Sequence, residues 1–247
     1  MSGGAAPLRA ALIDFGHTLV HYEVPDARLL ESYREACALV ASAHPGRTPP
    51  DDLILHVARH VLSAVSASYE RSELEELDHY TLVGEALAHH GYALGSDLIQ
   101  ELAELEHRAF VRHLLVPDAT HAALAELRAR GLRLGLVSNV SVPGHLMRQA
   151  LATLGLTDYF ETAIFSSELG VRKPHRQIYE TVLTALGVPA HESVFVGDRV
   201  REDIVGPQAL GMRAILTYEF RQEPPNGAEP DALIERFADL PALVTDL

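Results

Sequence analysis

The sequence predicts an α/β fold built on a doubly wound parallel sheet, and three observations carry that prediction. Short apolar runs recur along the chain, and several stop abruptly at a polar or acidic residue. Helix-patterned stretches lie between them, each closed by a glycine. One long early segment, by contrast, shows helical periodicity only. Alternating strand, helix and glycine is the pattern of a parallel sheet with helices on both faces.

The elements follow in order. Residues 8–13 form an apolar run that ends at Asp14-Phe15-Gly16, a buried strand whose carboxyl end presents Asp14. A helix over 118–130, stopped by Gly131, leads into a second strand over 132–137 that ends at Ser138-Asn139. Helices over 143–154 and 174–186, closed by Gly155 and Gly187, precede a third strand over 193–196 that ends at Gly197-Asp198. A fourth strand, 213–217, follows Gly211, and the Pro- and Gly-containing stretch 221–231 reads as a loop before a short last helix. Ligands of such sheets bind beyond the carboxyl ends of the strands. Asp14, Ser138 and Asp198 all stand there.

Residues 22–115 offer at least four helical stretches and no comparable strand. In one of them Leu53, Ile54, Val57, Val61, Leu62 and Val65 fall on one stripe; in another Leu98, Leu102, Leu105 and Ala109 recur. The expected organisation is therefore a core of residues 1–20 and 115–247 with an all-α helical cap over 21–114.

Composition narrows the function. The 247 residues are 47% hydrophobic, enough for a core plus a modest insert, and no run is long enough to span a membrane. Residues 1–7 lack the basic flank and apolar stretch of a secretory signal, so a soluble cytoplasmic protein is expected. Cys37 is the single cysteine, which excludes an intrachain disulfide and a cysteine zinc site. A net charge of −14 argues against a nucleic-acid partner. Of 20 basic residues, all but Lys173 are arginine. Retaining the compact ammonium at this one position suggests that its shape matters there.

Four segments in this order carry a resemblance. They are Asp14-Phe15-Gly16-His17-Thr18-Leu19, Ser138-Asn139, Lys173-Pro174, and Gly197-Asp198 with Asp203 and Ala209-Leu210-Gly211-Met212 beyond it. Together, each at a strand end or helix start, they resemble the haloacid dehalogenase superfamily over about 150 residues of Rossmann-like core. The resemblance implies that Asp14 attacks phosphorus and forms an aspartyl-phosphate, splitting one hard displacement into two easier ones. It implies Mg²⁺ held by Asp14, the Gly16 carbonyl and Asp198, with Asp203 behind. Ser138, Asn139 and the nearby amides would bind phosphoryl oxygens, and Lys173 would neutralise the gathered negative charge. The implied activity is Mg²⁺-dependent hydrolysis of a small phosphorylated metabolite.

The sequence also departs from that family. Its phosphatases carry a second Asp, an acid and base, where this chain has Gly16; loss of such a group typically costs ~10²- to 10⁴-fold in rate. Three consequences follow: preference for good leaving groups such as aryl or acyl phosphates, substitution by His17, or binding with poor turnover. Filling the gap with Gly16→Asp is expected to raise turnover of alkyl phosphates if only the acid is missing. A metal-independent 2-haloacid dehalogenase is the alternative chemistry, although it has less use for Asp198 and Asp203. A non-catalytic phospho-ligand-binding protein is the alternative class. Phosphonatase chemistry needs a cap lysine, and this cap has none. His56, His60, His89 and His90 read as ordinary cap residues, and Arg172, Arg199 and Arg201 as surface charges.

Overall fold

A computed structural model describes residues 7–244. The stretch 1–6, read above as part of a start without a signal, lies outside the described residues. Six strands form one sheet: β1 (Ala10–Ile13), β2 (Arg133–Ser138), β3 (Thr162–Phe165), β4 (Ser193–Gly197), β5 (Arg213–Thr217) and β6 (Ala232–Ile234). Their order is β3-β2-β1-β4-β5-β6, and every pairing is parallel. β1 lies inside the sheet and is fully buried, as a strand covered on both faces must be. Register sets up the site. Ile13 lies level with Leu136 on one side and Val196 on the other, so Asp14, Ser138 and Asp198 emerge at one rim.

Over residues 21–114 the chain makes five helices: α1 (Asp26–Ser32), α2 (Arg34–Ala43), α3 (Leu53–Glu70), α4 (His79–His89) and α5 (Ser96–Val111). They close around an apolar cluster of their own, which includes Tyr33, Val40, Ile54, Val57, Leu87 and Leu102. α4 starts where the Asp78 carboxylate accepts the Thr81 N–H at 2.7 Å, satisfying one of the free donors of its first turn. The α3 stripe holds for Leu53, Ile54, Val57 and Val61, but Leu62 is 64% exposed. One step past Val61 turns a side chain by about 100°, away from the cluster. At the neck of the segment His21 and Leu115 pair in an isolated antiparallel bridge. None of the described helices is long and apolar enough to cross a membrane.

The remaining helices cover the sheet. α6 (Asp118–Ala129) and α7 (Gly144–Thr153) share a cluster with Ala11 and Ile13 on one face. After the single turn α8 (Ser166–Leu169), α9 (Arg176–Leu186) packs on the other face against Ala10 and Leu12. Neighbouring residues of β1 thus feed opposite layers, as the strand period of two requires. Gly131 and Gly187, expected to stop helices, hold left-handed backbone at φ +87° and +60°. β3 and β6 were not expected. Both are short edge strands that are only partly buried, so neither carries a dense apolar run. Residues 221–231 hold no helix or strand, as read, β6 follows them, and Leu240–Leu243 is the short closing helix.

α9 sits close to β2 because residue 135 has no side chain. A Cβ there would meet Val182 Cγ2 at 2.7 Å and Leu186 Cδ1 at 3.1 Å. Val182 is stiff on its helix and cannot swing away. Gly135→Ala is therefore expected to cost about 1–3 kcal/mol of stability through overpacking, read as a lower midpoint in urea unfolding with an unchanged slope.

Candidate active site

Asp14 stands at the carboxyl end of β1, 7% exposed, its N–H continuing the ladder to Val196 O at 2.9 Å. The Lys173 ammonium donates to Asp14 Oδ1 at 2.6 Å and to Asp203 Oδ1 at 2.8 Å. Lys173 is itself held by Asn139, which accepts its N–H at 2.7 Å and donates to its carbonyl at 3.0 Å. The Asn139 amide is thus engaged with backbone rather than free at the cavity. Ser138 ends β2, buried, on the cavity wall beside Asp14. Asp203 lies on a π-helical turn, Val200–Val205, and also accepts the Arg199 N–H at 2.9 Å. It comes this close because residue 197 is glycine: a Cβ there would sit 2.3 Å from Asp203 Oδ2.

Asp14, Asp198 and Asp203 each bring one oxygen within 4.8 Å of the others, all three buried. Burial drives Asp14 above the usual carboxylate range, with Asp203 adding repulsion and Lys173 opposing it. Burial, then Asp14 and Asp203, pushes Asp198 up to about 8. For Lys173 burial works against the charge, yet the two carboxylates hold it above the ordinary ammonium range. Two contacts at Asp198 escaped sequence reasoning. Thr18 Oγ1 lies 3.3 Å from Asp14 Oδ2 and 3.5 Å from Asp198 Oδ1, and can donate its one proton to either. Arg221 Nη1 lies 2.7 Å from Asp198 Oδ2, an ion pair without hydrogen-bond alignment. Thr18 was in plain view inside the first motif; Arg221, on a loop far along the chain, had no local signal.

The space beside Gly16 is filled. A Cβ at Gly16 would meet Tyr22 Cε2 at 2.6 Å, with the phenol oxygen 3.1 Å away. Burial, then Asp14 and Asp198, holds the Tyr22 phenol above its ordinary range. His17 takes a left-handed conformation, φ +57°, and packs edge-on to Tyr22 at 5.3 Å. Burial, Arg221, His21 and Arg199 push its imidazole down to about 4.

Arg172, expected at the surface, is buried instead. It pairs with Glu76 at 2.7 Å, donates to Ser68 at 2.8 Å and lies over the Tyr69 ring. Glu76 also accepts from Ser166 at 2.5 Å. Backbone bonds from Glu76 to Gly170 and from Arg172 to Leu74 join the same two segments. The helical segment is thus clasped to the residues just before Lys173. Arg199 and Arg201 are half-buried.

A cavity of about 530 Å³ runs from Asp14, Ser138 and Lys173 up to the walls of α3 and α5. His79 and His107 line it, both buried, and each leaves Nε2 without a partner. Burial pushes each imidazole down to about 4. Elsewhere the fold gathers His56, His60, His89 and His90, with ring centroids 5.3–5.7 Å apart along the chain of contacts. His90 stacks on His56, and His89 meets His60. Among the described residues only the three aspartates bring three ligand atoms within 4.8 Å.

A profile for haloacid dehalogenase-like hydrolases matches residues 8–211. The chain is 35% identical over 182 residues to a phosphoserine phosphatase of Thermus thermophilus, covering 71% of each protein. It is 35% identical over 166 residues to a phosphoglycolate phosphatase of Yersinia pestis, covering 64% of this chain and 70% of that one. A crystal structure of a 2-haloacid dehalogenase from Pseudomonas syringae superposes with a TM-score of 0.65 at 25% identity, covering 97% of this chain and 99% of that one.

The two cavity histidines predict a pH response of stability. Both sit below their ordinary value of 6.5, so the unfolded chain binds more protons between about pH 4 and 6.5. Stability then falls as pH is lowered through that window. Moving from pH 7 to pH 5 is expected to cost about 2 kcal/mol per histidine. Denaturant unfolding at both pH values checks this: His107→Gln should show a correspondingly smaller loss than the parent.

Proposed function

Because the chain belongs to the haloacid dehalogenase-like hydrolases, we propose that it hydrolyses monophosphate esters of small metabolites through a covalent phosphate on Asp14. The observation that carries this reading is the buried placement of Asp14 against the Lys173 ammonium at 2.6 Å, with Asp198 and Asp203 alongside. A carboxylate oxygen of Asp14 bonds to phosphorus as the bond to the leaving oxygen breaks, and that oxygen departs with the electron pair and takes up a proton. Water then attacks phosphorus, releases inorganic phosphate and restores the carboxylate. Ser138 and the amides beside it stand where phosphoryl oxygens would lie, and Lys173 neutralises Asp14.

The donor set fits a divalent ion. Three buried carboxylates face one ammonium and one guanidinium, a surplus of negative charge in a poorly solvated place. All-oxygen donors suit Mg²⁺. Asp14, Asp198 and the Gly16 carbonyl would hold it, with Asp203 behind. Bound there it would offset repulsion between the nucleophile and an incoming phosphate. Arg221 pairs with Asp198 Oδ2 and would share that carboxylate with the ion.

We also assign residues 21–114 as a cap on a core of 1–20 and 115–247. Their separate apolar cluster, the His21–Leu115 bridge and the intervening cavity support this division. A closed cap would exclude water from the anionic site. One observation favours a second reading: Arg221 already offsets Asp198 without a metal, as metal-independent attack of Asp14 on a haloacid carbon would require. Halide release from 2-haloacids in excess chelator supports that chemistry, and phosphate release that needs Mg²⁺ supports the first.

In the decisive experiment, aryl, acyl, sugar and nucleotide phosphates are screened with and without Mg²⁺. Phosphate release is expected with Mg²⁺ and none from Asp14→Asn; full turnover by that variant overturns the role of Asp14. The structure revises the expectation for Gly16→Asp. The new side chain collides with Tyr22, so the single variant is expected to lose activity. Gly16→Asp with Tyr22→Ala makes room, and its kcat on alkyl phosphates is expected to exceed the parent's by ~10-fold or more, with little change on aryl phosphates.

A further inference from the structure

The cavity beyond Asp14 has walls of two kinds. On the helical side Ile54, Val57, Val61, Leu102 and Phe110 present apolar surface. The cations that line the cavity are unevenly placed. Lys173 and Arg221 are paired to the acid cluster, and the Arg199 guanidinium lies over the Tyr69 ring. Arg59, on α3, is paired to Asp26. The polar groups contributed by α4 and α5 are His79, Glu106 and His107. Glu106 accepts from the Tyr33 hydroxyl at 2.7 Å, and burial raises it above the usual carboxylate range. His79 Nδ1 meets Ser141 Oγ at 3.4 Å, whereas Nε2 of both His79 and His107 is buried and unpartnered.

Building on the phosphate-ester reading above, we propose that this cavity selects an ester with an apolar chain or ring that ends in an uncharged hydrogen-bonding group, received by His79 and His107. The apolar wall favours hydrocarbon, because burying it removes it from water. A second anionic group beside α4 and α5 would meet Glu106 and two uncharged imidazoles, and neither helix contributes a lining cation to pair with it. A hydroxyl or carbonyl can instead satisfy buried nitrogens that otherwise lack a partner, and a site built to bond such a group rejects analogues without it.

The test uses alkylphosphonates, which cannot be hydrolysed, so binding is read apart from turnover. Chains of three to eight carbons ending in methyl, hydroxyl or carboxylate are titrated calorimetrically into the full-length protein with Mg²⁺. Affinity is expected to rise about two- to four-fold per methylene while the chain lies in the cavity. At the length that reaches the histidines, the hydroxyl series is expected to exceed the methyl series, and the carboxylate series to be weakest throughout. In His79→Phe and in His107→Phe the advantage of hydroxyl over methyl should shrink while the dependence on length persists. Affinity independent of length, or tightest for carboxylate, overturns the proposal even if one variant fails to fold. An unchanged hydroxyl advantage in both variants removes the histidines from it. If no phosphonate binds at any length and inorganic phosphate does not bind either, the phosphate reading of the site falls and the proposal with it.

Discussion

A single buried ammonium holds the site together. Lys173 lies between Asp14 and Asp203, and the three side chains are almost completely removed from water. Buried carboxylates at this spacing repel, and only a cation with good hydrogen-bond geometry makes the arrangement tolerable. Neighbouring features serve that contact. Gly197 leaves space for Asp203, Asn139 grips the Lys173 backbone from both sides, and the parallel register brings Asp14 and Asp198 to one rim. An arginine would need more room and would present a flat fork where a point charge is wanted.

The same stretch of chain connects this centre to the helices above it. The segment ending at Lys173 pairs with the loop between α3 and α4, and Arg172 and Glu76 form a buried ion pair immediately beside it. Breaking one partner of such a pair leaves an uncompensated charge, so this clasp is stiff. At the neck, the His21–Leu115 bridge is joined by Tyr22, which packs on Phe15 and Phe110.

Gly16 and Tyr22 show how a position without a side chain shapes its surroundings. The volume that a side chain at residue 16 would occupy holds the Tyr22 ring, which packs on Phe15, His17 and Phe110. The approach to Asp14 is thus aromatic and largely apolar. That approach continues into the apolar walls of α3 and α5. On the proposed phosphate-ester reading, such an approach suits esters whose alcohol carries hydrocarbon.

The sequence by itself determined the parallel core, because strands buried on both faces must be continuous apolar runs, and helices must stop before the next strand begins. It also pointed to Asp14, Ser138, Lys173 and Asp198, each at the end of such a run or the start of a helix, and the family resemblance added Asp203. The edge strands β3 and β6 were hidden because partial burial demands little apolar character. Tertiary structure alone decided the partners: Arg221 on Asp198, Tyr22 in the space at Gly16, Arg172 buried against Glu76, and two histidines from separate helices in one cavity. Local pattern records how much of a residue is buried, whereas charge pairing and space filling depend on what the rest of the chain brings to that point.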